Sequence, residues 1–250
     1  MTDTIIVSGG DIQRDFALSF LREKINAVGR EKICLIAADR GLEFFMENQM
    51  LPDVAVGDFD SLSENGRKFL EKYGNENPKE GLDKVSDEDL KEWMHGKESL
   101  KKIEVVRLRP EKDDSDTQSA MNLAIERGSK EIVILGATGK RVDHLIANFG
   151  LLVLARQKDA SVALVDAYNH MALIESGTVL KKAEKFGKYV SFFALGTDVC
   201  GLTLEGFKYP LDHYHLTSAD SGLTVSNEFR DDTAMVTYES GDLMMIMSRD

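Results

Sequence analysis

Short apolar runs separated by polar stretches set the rhythm of the first two thirds of the chain. Thr4 to Ser8, Lys32 to Ala38, Val54 to Val56, Ile103 to Leu108, Glu131 to Leu135 and Ser161 to Val165 read as strands. Between them lie stretches with apolar residues at helical spacing. One contains Phe16, Phe20 and Leu21, a short one ends at Asn48, and two longer ones cover Asp116 to Arg127 and Val142 to Gln157. Strand and helix in alternation predict a parallel sheet with helices on its faces. Past about residue 166 the helical pattern stops. Met171 to Glu175, Thr178 to Leu180, Lys188 to Leu195, Leu202 to Phe207, Ala234 to Tyr238 and Leu243 to Met247 replace it, divided by turn signals such as Ser176-Gly177 and Ser240-Gly241-Asp242. The expected fold is an α/β domain over residues 1–166 followed by an all-β domain, a small β-sandwich, over residues 167–250. One polar segment, Gly74 to Lys102, fits neither rhythm and reads as a surface excursion, with Asp87 to His95 as a short amphipathic helix.

Composition narrows the function classes. A formal net charge of -12 argues against a nucleic-acid partner, whose phosphates the chain would repel. It leaves room for a small phosphorylated ligand whose charge is met locally. Cys34 and Cys200, without CxxC spacing, make neither a disulfide framework nor a zinc site. Met1 to Thr4 carries no basic region, Ile5-Ile6-Val7 is too short for a signal peptide, and no stretch approaches the length of a membrane span. A cytoplasmic protein without a membrane partner is expected.

The candidate chemistry lies in loops after strands. Gly57-Asp58-Phe59-Asp60-Ser61, Lys112-Asp113-Asp114-Ser115-Asp116 and Gly139-Lys140-Arg141-Val142-Asp143-His144 each bring carboxylates to a strand end, and such loops converge on one crevice in an open α/β sheet. Two unit charges ~4 Å apart repel by about 4 kcal/mol at the effective dielectric of a protein surface, so a divalent cation carrying phosphates is the natural third party. If Asp58 and Asp60 lie on extended chain, their carboxylates point the same way; the alternative is a solvated turn with Ser61 capping the next helix. Ser115 or Asp114 serves equally as a helix cap, although Lys112 beside them suits a phosphate loop. Gly136-Ala137-Thr138-Gly139-Lys140-Arg141 offers two glycines, a hydroxyl and two cations ahead of a helix N-terminus, which suits an anion, although the spacing is not that of a Walker A loop. An ordinary strand-to-helix turn would look the same. Gly9 and Gly10, after the first strand, also stand where a nucleotide could approach, without the full dinucleotide fingerprint.

Taken in order, these stretches resemble the thiamine pyrophosphokinase family. The resemblance rests on Ala37-Ala38-Asp39, Gly57 to Leu62, Glu111 to Asp116, Gly136 to Asn148 and the late Ser226-Asn227-Glu228-Phe229. It implies transfer of a diphosphate from ATP to thiamine, giving thiamine diphosphate and AMP, with Mg²⁺, in a homodimer built from a Rossmann-like nucleotide domain and a β-sandwich. Carried over by motif position, Asp58, Asp60 and Asp116 sit at the metal–diphosphate centre, Arg141 and Asp143 complete it, and Asp113 lies nearby. Gly9, Gly10, Asp39, Lys112, Thr138, Gly139 and Lys140 are then expected to bind the nucleotide. Ser226 and Asn227 would help to hold thiamine, with Tyr209 stacking on it. Four departures stand out: Lys140 and Arg40 replace glycines, Ser115 replaces threonine, and the Gly74 to Lys102 segment is long. Two other readings compete. One is a haloacid-dehalogenase-like phosphatase with Asp58 as nucleophile and Asp60 as acid. The other is a thiamine- or nucleotide-binding sensor without turnover.

Overall fold

The computed structural model describes residues 3–75, 103–109, 113–220 and 222–250. The expected helix Asp87 to His95, and Lys112, lie outside them. The chain divides into two compact units, Met1–Leu145 and Ile146–Asp250.

In the first unit, strands β1 (Asp3–Val7), β2 (Ile33–Ala38), β3 (Val54–Gly57), β4 (Gly74–Asn75), β5 (Ile103–Arg107) and β6 (Glu131–Leu135) stand in the order β6-β1-β2-β3-β5-β4. Every recorded pairing among them is parallel. β2 reads ICLIAA, and all of it except Cys34 is buried, as a central strand covered on both faces requires. Helices α1 (Arg14–Val28), α2 (Gly41–Glu47), α3 (Glu64–Tyr73) and α4 (Asp116–Glu126) supply the connections, and α5 (Val142–Gln157) starts at the unit's end. Buried Arg30 forks onto both carboxylate oxygens of Asp53 at 2.8 Å, and Asp53 in turn accepts the Leu35 N–H at 2.8 Å, so the ion pair is tied to β2. Burial, reinforced by nearby Asp53, pushes the Cys34 thiol up to about 12, which makes it an inert packing group.

The second unit is built almost wholly from antiparallel strands. β7 (Ser161–Val165) pairs with β8 (Asn169–Ile174), β8 with β14 (Leu243–Ser248), and β14 with β10 (Tyr189–Ala194). A four-stranded sheet runs β12-β11-β13-β9, from Leu211–Leu216, Val199–Glu205, Thr233–Thr237 and Thr178–Lys181. The two sheets share one core. Val190, Phe192, Leu243 and Met245 from the first meet Val199, Leu202, Leu204 and Val236 from the second, and Phe192 packs edge-on to Phe207 with ring centroids 5.5 Å apart. The strand pattern missed β12. It is an edge strand whose Asp212, His213 and His215 face water; Leu216 alone is fully buried, with Leu211 and Tyr214 half-buried against the core. An α/β domain and a smaller antiparallel β domain are thus both present.

Candidate active site

All the loops gathered at the candidate site belong to the first unit. β2 ends at Ala38, and Asp39 follows with a positive φ of 47° while its N–H donates to Val56 O at 2.8 Å. β3 ends at Gly57, where an added Cβ would lie 3.1 Å from Asp39 Cα. Two strand ends therefore abut. Phe59 then takes φ 62° and turns its ring inward, under the Arg107 guanidinium 5.5 Å from the ring centroid. The result is a group of three carboxylates, Asp39, Asp58 and Asp60, each offering one oxygen within 4.8 Å of the others'.

Of the two readings open for this loop the turn is the one present, though Ser61 is not the helix cap. The Asp58-Phe59-Asp60 segment is not extended; the left-handed Phe59 and the Asp60 N–H, which donates to Asp58 Oδ1 at 3.1 Å, fold it into an Asx turn. The helix cap is Ser63, whose Oγ accepts from Gly66 N at 3.1 Å, and Ser61 instead donates its hydroxyl to Asp39 Oδ2. Asp39, read from the sequence as a nucleotide contact, belongs to the carboxylate group. Asp116, expected at the metal, is not one of the three, although its charge is felt there. Burial raises the Asp39 carboxyl above its ordinary value, with the Asp116 and Asp58 charges adding to it and the Ser61 hydrogen bond opposing it.

Asp39 Oδ1 is buried and has no hydrogen-bond partner. An unpaired buried carboxylate oxygen is costly, and three converging hard oxygen donors are what a Mg²⁺-sized cation takes. The residues fit such an ion.

Two glycine-bearing loops lie back to back beside this group. Ser8 N donates to Leu135 O at 2.8 Å and Gly10 N to Gly136 O at 3.0 Å. A Cβ on Gly10 would fall 2.3 Å from Gly136 O, so the approach requires glycine. Gly139 approaches less closely, its would-be Cβ lying 3.1 Å from Asp11 N and 3.3 Å from Gly10 Cα. Ser8 Oγ and Thr117 Oγ1, 2.6 Å apart, tie the end of β1 to the first turn of α4, next to Asp116. No sequence signal announced that tie. Ser115 caps α4 through Gln118 N at 3.2 Å, and Asp114 accepts from Gln118 Nε2 at 2.6 Å, so both serve the helix while Asp113 stays exposed. Thr138 is half-buried, and Lys140 reaches Asp11 at 3.6 Å. Arg141 and Asp143 are exposed and pair with each other, and that pairing holds the Asp143 carboxyl below its usual range.

In the second unit Ser226 is exposed with φ 58°, Asn227 is buried, and Tyr209 is 54% exposed.

Residues 26–164 match the family model described as "Thiamin pyrophosphokinase, catalytic domain", and residues 177–243 match "Thiamin pyrophosphokinase, vitamin B1 binding domain". The chain belongs to the thiamin pyrophosphokinase family. A family relative, thiamine pyrophosphokinase of Bacillus subtilis (strain 168), is 30% identical over 215 residues, covering 86% of this chain and 87% of its own. The crystal structure of thiamine pyrophosphokinase from Bacillus subtilis superposes with a TM-score of 0.74 at 28% identity, over 100% of both chains. That of the thiamin pyrophosphokinase from Geobacillus thermodenitrificans gives 0.72 at 28% identity, over 100% of this chain and 98% of that one.

The raised Asp39 value has a pH consequence. The folded state holds this proton more tightly than the unfolded chain, so stability is lost as pH climbs from the ordinary 3.8 through the raised value, and the loss is absent below that range. In metal-free buffer Asp39→Asn is therefore expected to raise the melting temperature at about pH 7 and to give no gain near pH 3. Thermal melts at the two pH values check this. A variant less stable than the parent at neutral pH would show that the carboxylate is not strained.

Proposed function

We propose that this chain transfers a diphosphate from ATP to the hydroxyl of thiamine, releasing AMP and thiamine diphosphate. The observation that carries the reading is the Asp39, Asp58 and Asp60 group, with its unpartnered buried oxygen, beside two glycine loops in a member of this family. Asp39, Asp58 and Asp60 would hold Mg²⁺, which when bound neutralises charge on the phosphates. Gly9, Gly10, Thr138 and Gly139 let the ATP phosphates approach the backbone, and Lys140, Arg141 and Lys112 balance charge on the transferred group and departing AMP. Asp116 stands apart from the three carboxylates and is assigned to orient the thiamine hydroxyl and accept its proton. Asp113 and Asp143 support this frame, with Asp143 presenting Arg141. Ser226 and Tyr209 face thiamine. The reaction asks the protein for positioning and electrostatics more than for covalent chemistry.

The same reading takes residues 1–166 as a Rossmann-like ATP-binding domain and 167–250 as a β-sandwich for thiamine and dimerisation. The two family matches, ending at 164 and starting at 177, support that division. A cytoplasmic homodimer completes it; no helix among the described residues is long and apolar enough to cross a membrane. The phosphatase reading is not favoured, because both matched domains are those of a diphosphokinase.

The test is to incubate the protein with Mg²⁺, ATP and thiamine and to follow nucleotides and thiamine esters by mass spectrometry. Equal amounts of AMP and thiamine diphosphate are expected. ADP with thiamine monophosphate would overturn the reaction, and tight binding without AMP would make the chain a sensor.

A further inference from the structure

Ser226 and Asn227 are neighbours in sequence, and the structure gives them different tasks. Ser226 is exposed, its N–H donating to Ser191 Oγ at 3.0 Å. Asn227 is 2% exposed. Its main chain is already committed to β10, exchanging hydrogen bonds of 2.9 and 2.8 Å with Val190. Its side chain turns the other way. Oδ1 accepts from Tyr209 N at 2.9 Å and from Glu228 N at 3.0 Å, while Nδ2 donates to Tyr209 O at 2.8 Å.

The surroundings explain why a side chain is needed there. The segment before Tyr209 pairs antiparallel with the segment after Asn227: Phe207 bridges Phe229, and Lys208 N donates to Glu228 O at 2.8 Å. One step further the ladder would need the Asn227 main chain, which β10 has taken. The carboxamide carries the ladder on, presenting an acceptor and a donor in the geometry of a peptide. Both lone pairs of Oδ1 and one of the two N–H donors are thereby engaged. Pro210 restricts Tyr209 from the other side, since a residue before proline is confined to extended conformations. A half-exposed tyrosine is thus held by both of its main-chain polar groups.

We infer that Asn227 is a positioning residue: it holds the Tyr209 peptide so that the ring is a preorganised stacking face for the thiamine rings, and it does not touch the substrate. This rests on the proposed thiamine reading of the second unit. Fixing an aromatic before the ligand arrives removes an ordering cost from binding.

A double-mutant cycle tests it. Stacking on an aromatic side chain is worth ~1–3 kcal/mol, so Tyr209→Ala should raise KM for thiamine about tenfold and leave KM for ATP unchanged. Asn227→Ala should raise KM for thiamine by a similar or smaller factor, and should add nothing in the Tyr209→Ala background. Without substrates, hydrogen exchange at the Tyr209 amide should accelerate in Asn227→Ala. Should that variant not fold, Asn227→Ser adds no charge and keeps one hydroxyl in place of the two amide groups that hold Tyr209, and a smaller rise in thiamine KM that vanishes in the Tyr209→Ala background is expected. Factors that multiply in the double variant would place Asn227 on thiamine directly and overturn the inference. Unchanged Tyr209 amide exchange, or an unchanged thiamine KM in Tyr209→Ala, would overturn it as well. Failure of the underlying reading looks different, because the parent chain would then form no AMP at all.

Discussion

Asp58→Asn is expected to lower turnover of ATP and thiamine by about three orders of magnitude while leaving the fold intact. The carboxamide keeps the shape of the side chain and an oxygen able to accept the Asp60 N–H, so the turn around Phe59 retains its internal hydrogen bond. What disappears is one of three negative charges packed within 4.8 Å. A cation held by such a set contributes several kcal/mol of charge neutralisation in the transition state, and ~4 kcal/mol corresponds to about a thousandfold in rate. Two measurements separate chemistry from folding. Melting temperature without added metal should equal or exceed that of the parent, since removing a charge relieves repulsion on Asp39. Mg²⁺ is expected to raise the melting temperature of the parent, and in the variant that rise should shrink or vanish. Turnover within tenfold of the parent, with an undiminished response to Mg²⁺, would take Asp58 out of the site.

The largest effect on stability is expected at Gly41, two residues beyond Asp39. A Cβ there would lie 1.8 Å from Val7 O and 2.6 Å from Val7 C. Both are main-chain atoms of a strand paired on both sides, with β2 and with β6, so neither can swing aside as a side-chain tip would. Gly41→Ala must instead push α2 away from the end of β1. Overpacking of this kind costs about 3 kcal/mol, at the upper end for a single methyl group. The damage extends to the site, because Asp39 O accepts the Leu42 N–H at 3.0 Å and moves with the helix. Denaturant unfolding should give a lower midpoint with an unchanged slope, and residual activity should fall further than the folded fraction. A midpoint equal to the parent's would mean that α2 and β1 can separate at no cost.

How far the chain could be read without coordinates depends on the kind of signal. Buried strands such as β2 and β6 announce themselves as apolar runs, and the helices between them by spacing, because burial is written in residue type. Edge strand β12 and the two-residue β4 carry little buried surface and left little trace. The site divides in the same way. Asp58 and Asp60 were legible as one of several carboxylate loops at strand ends, yet their meeting depends on a left-handed Phe59 that no residue type signals. Asp39 joins them only because β2 and β3 end side by side, a fact of register. Asn227 was legible as part of a motif and opaque in its task, since the partner that defines it, Tyr209, lies 18 residues away in sequence.

The position of β1 carries a further consequence, for how the protein is made. β1 is synthesised well before β6 and lies between β2 and β6, and its Thr4 hydroxyl meets that of Ser129, 125 positions away in sequence. Half of β1's hydrogen-bonding edge therefore has no partner until residues 131–135 have been synthesised. The Gly10–Gly136 approach has to wait for the same event. Long-range pairing of this sort slows folding, and an apolar strand waiting with an open edge invites pairing with another chain. The nascent protein should therefore be at its most aggregation-prone, and still without the Gly10–Gly136 contact, during translation of the stretch from α2 to α4.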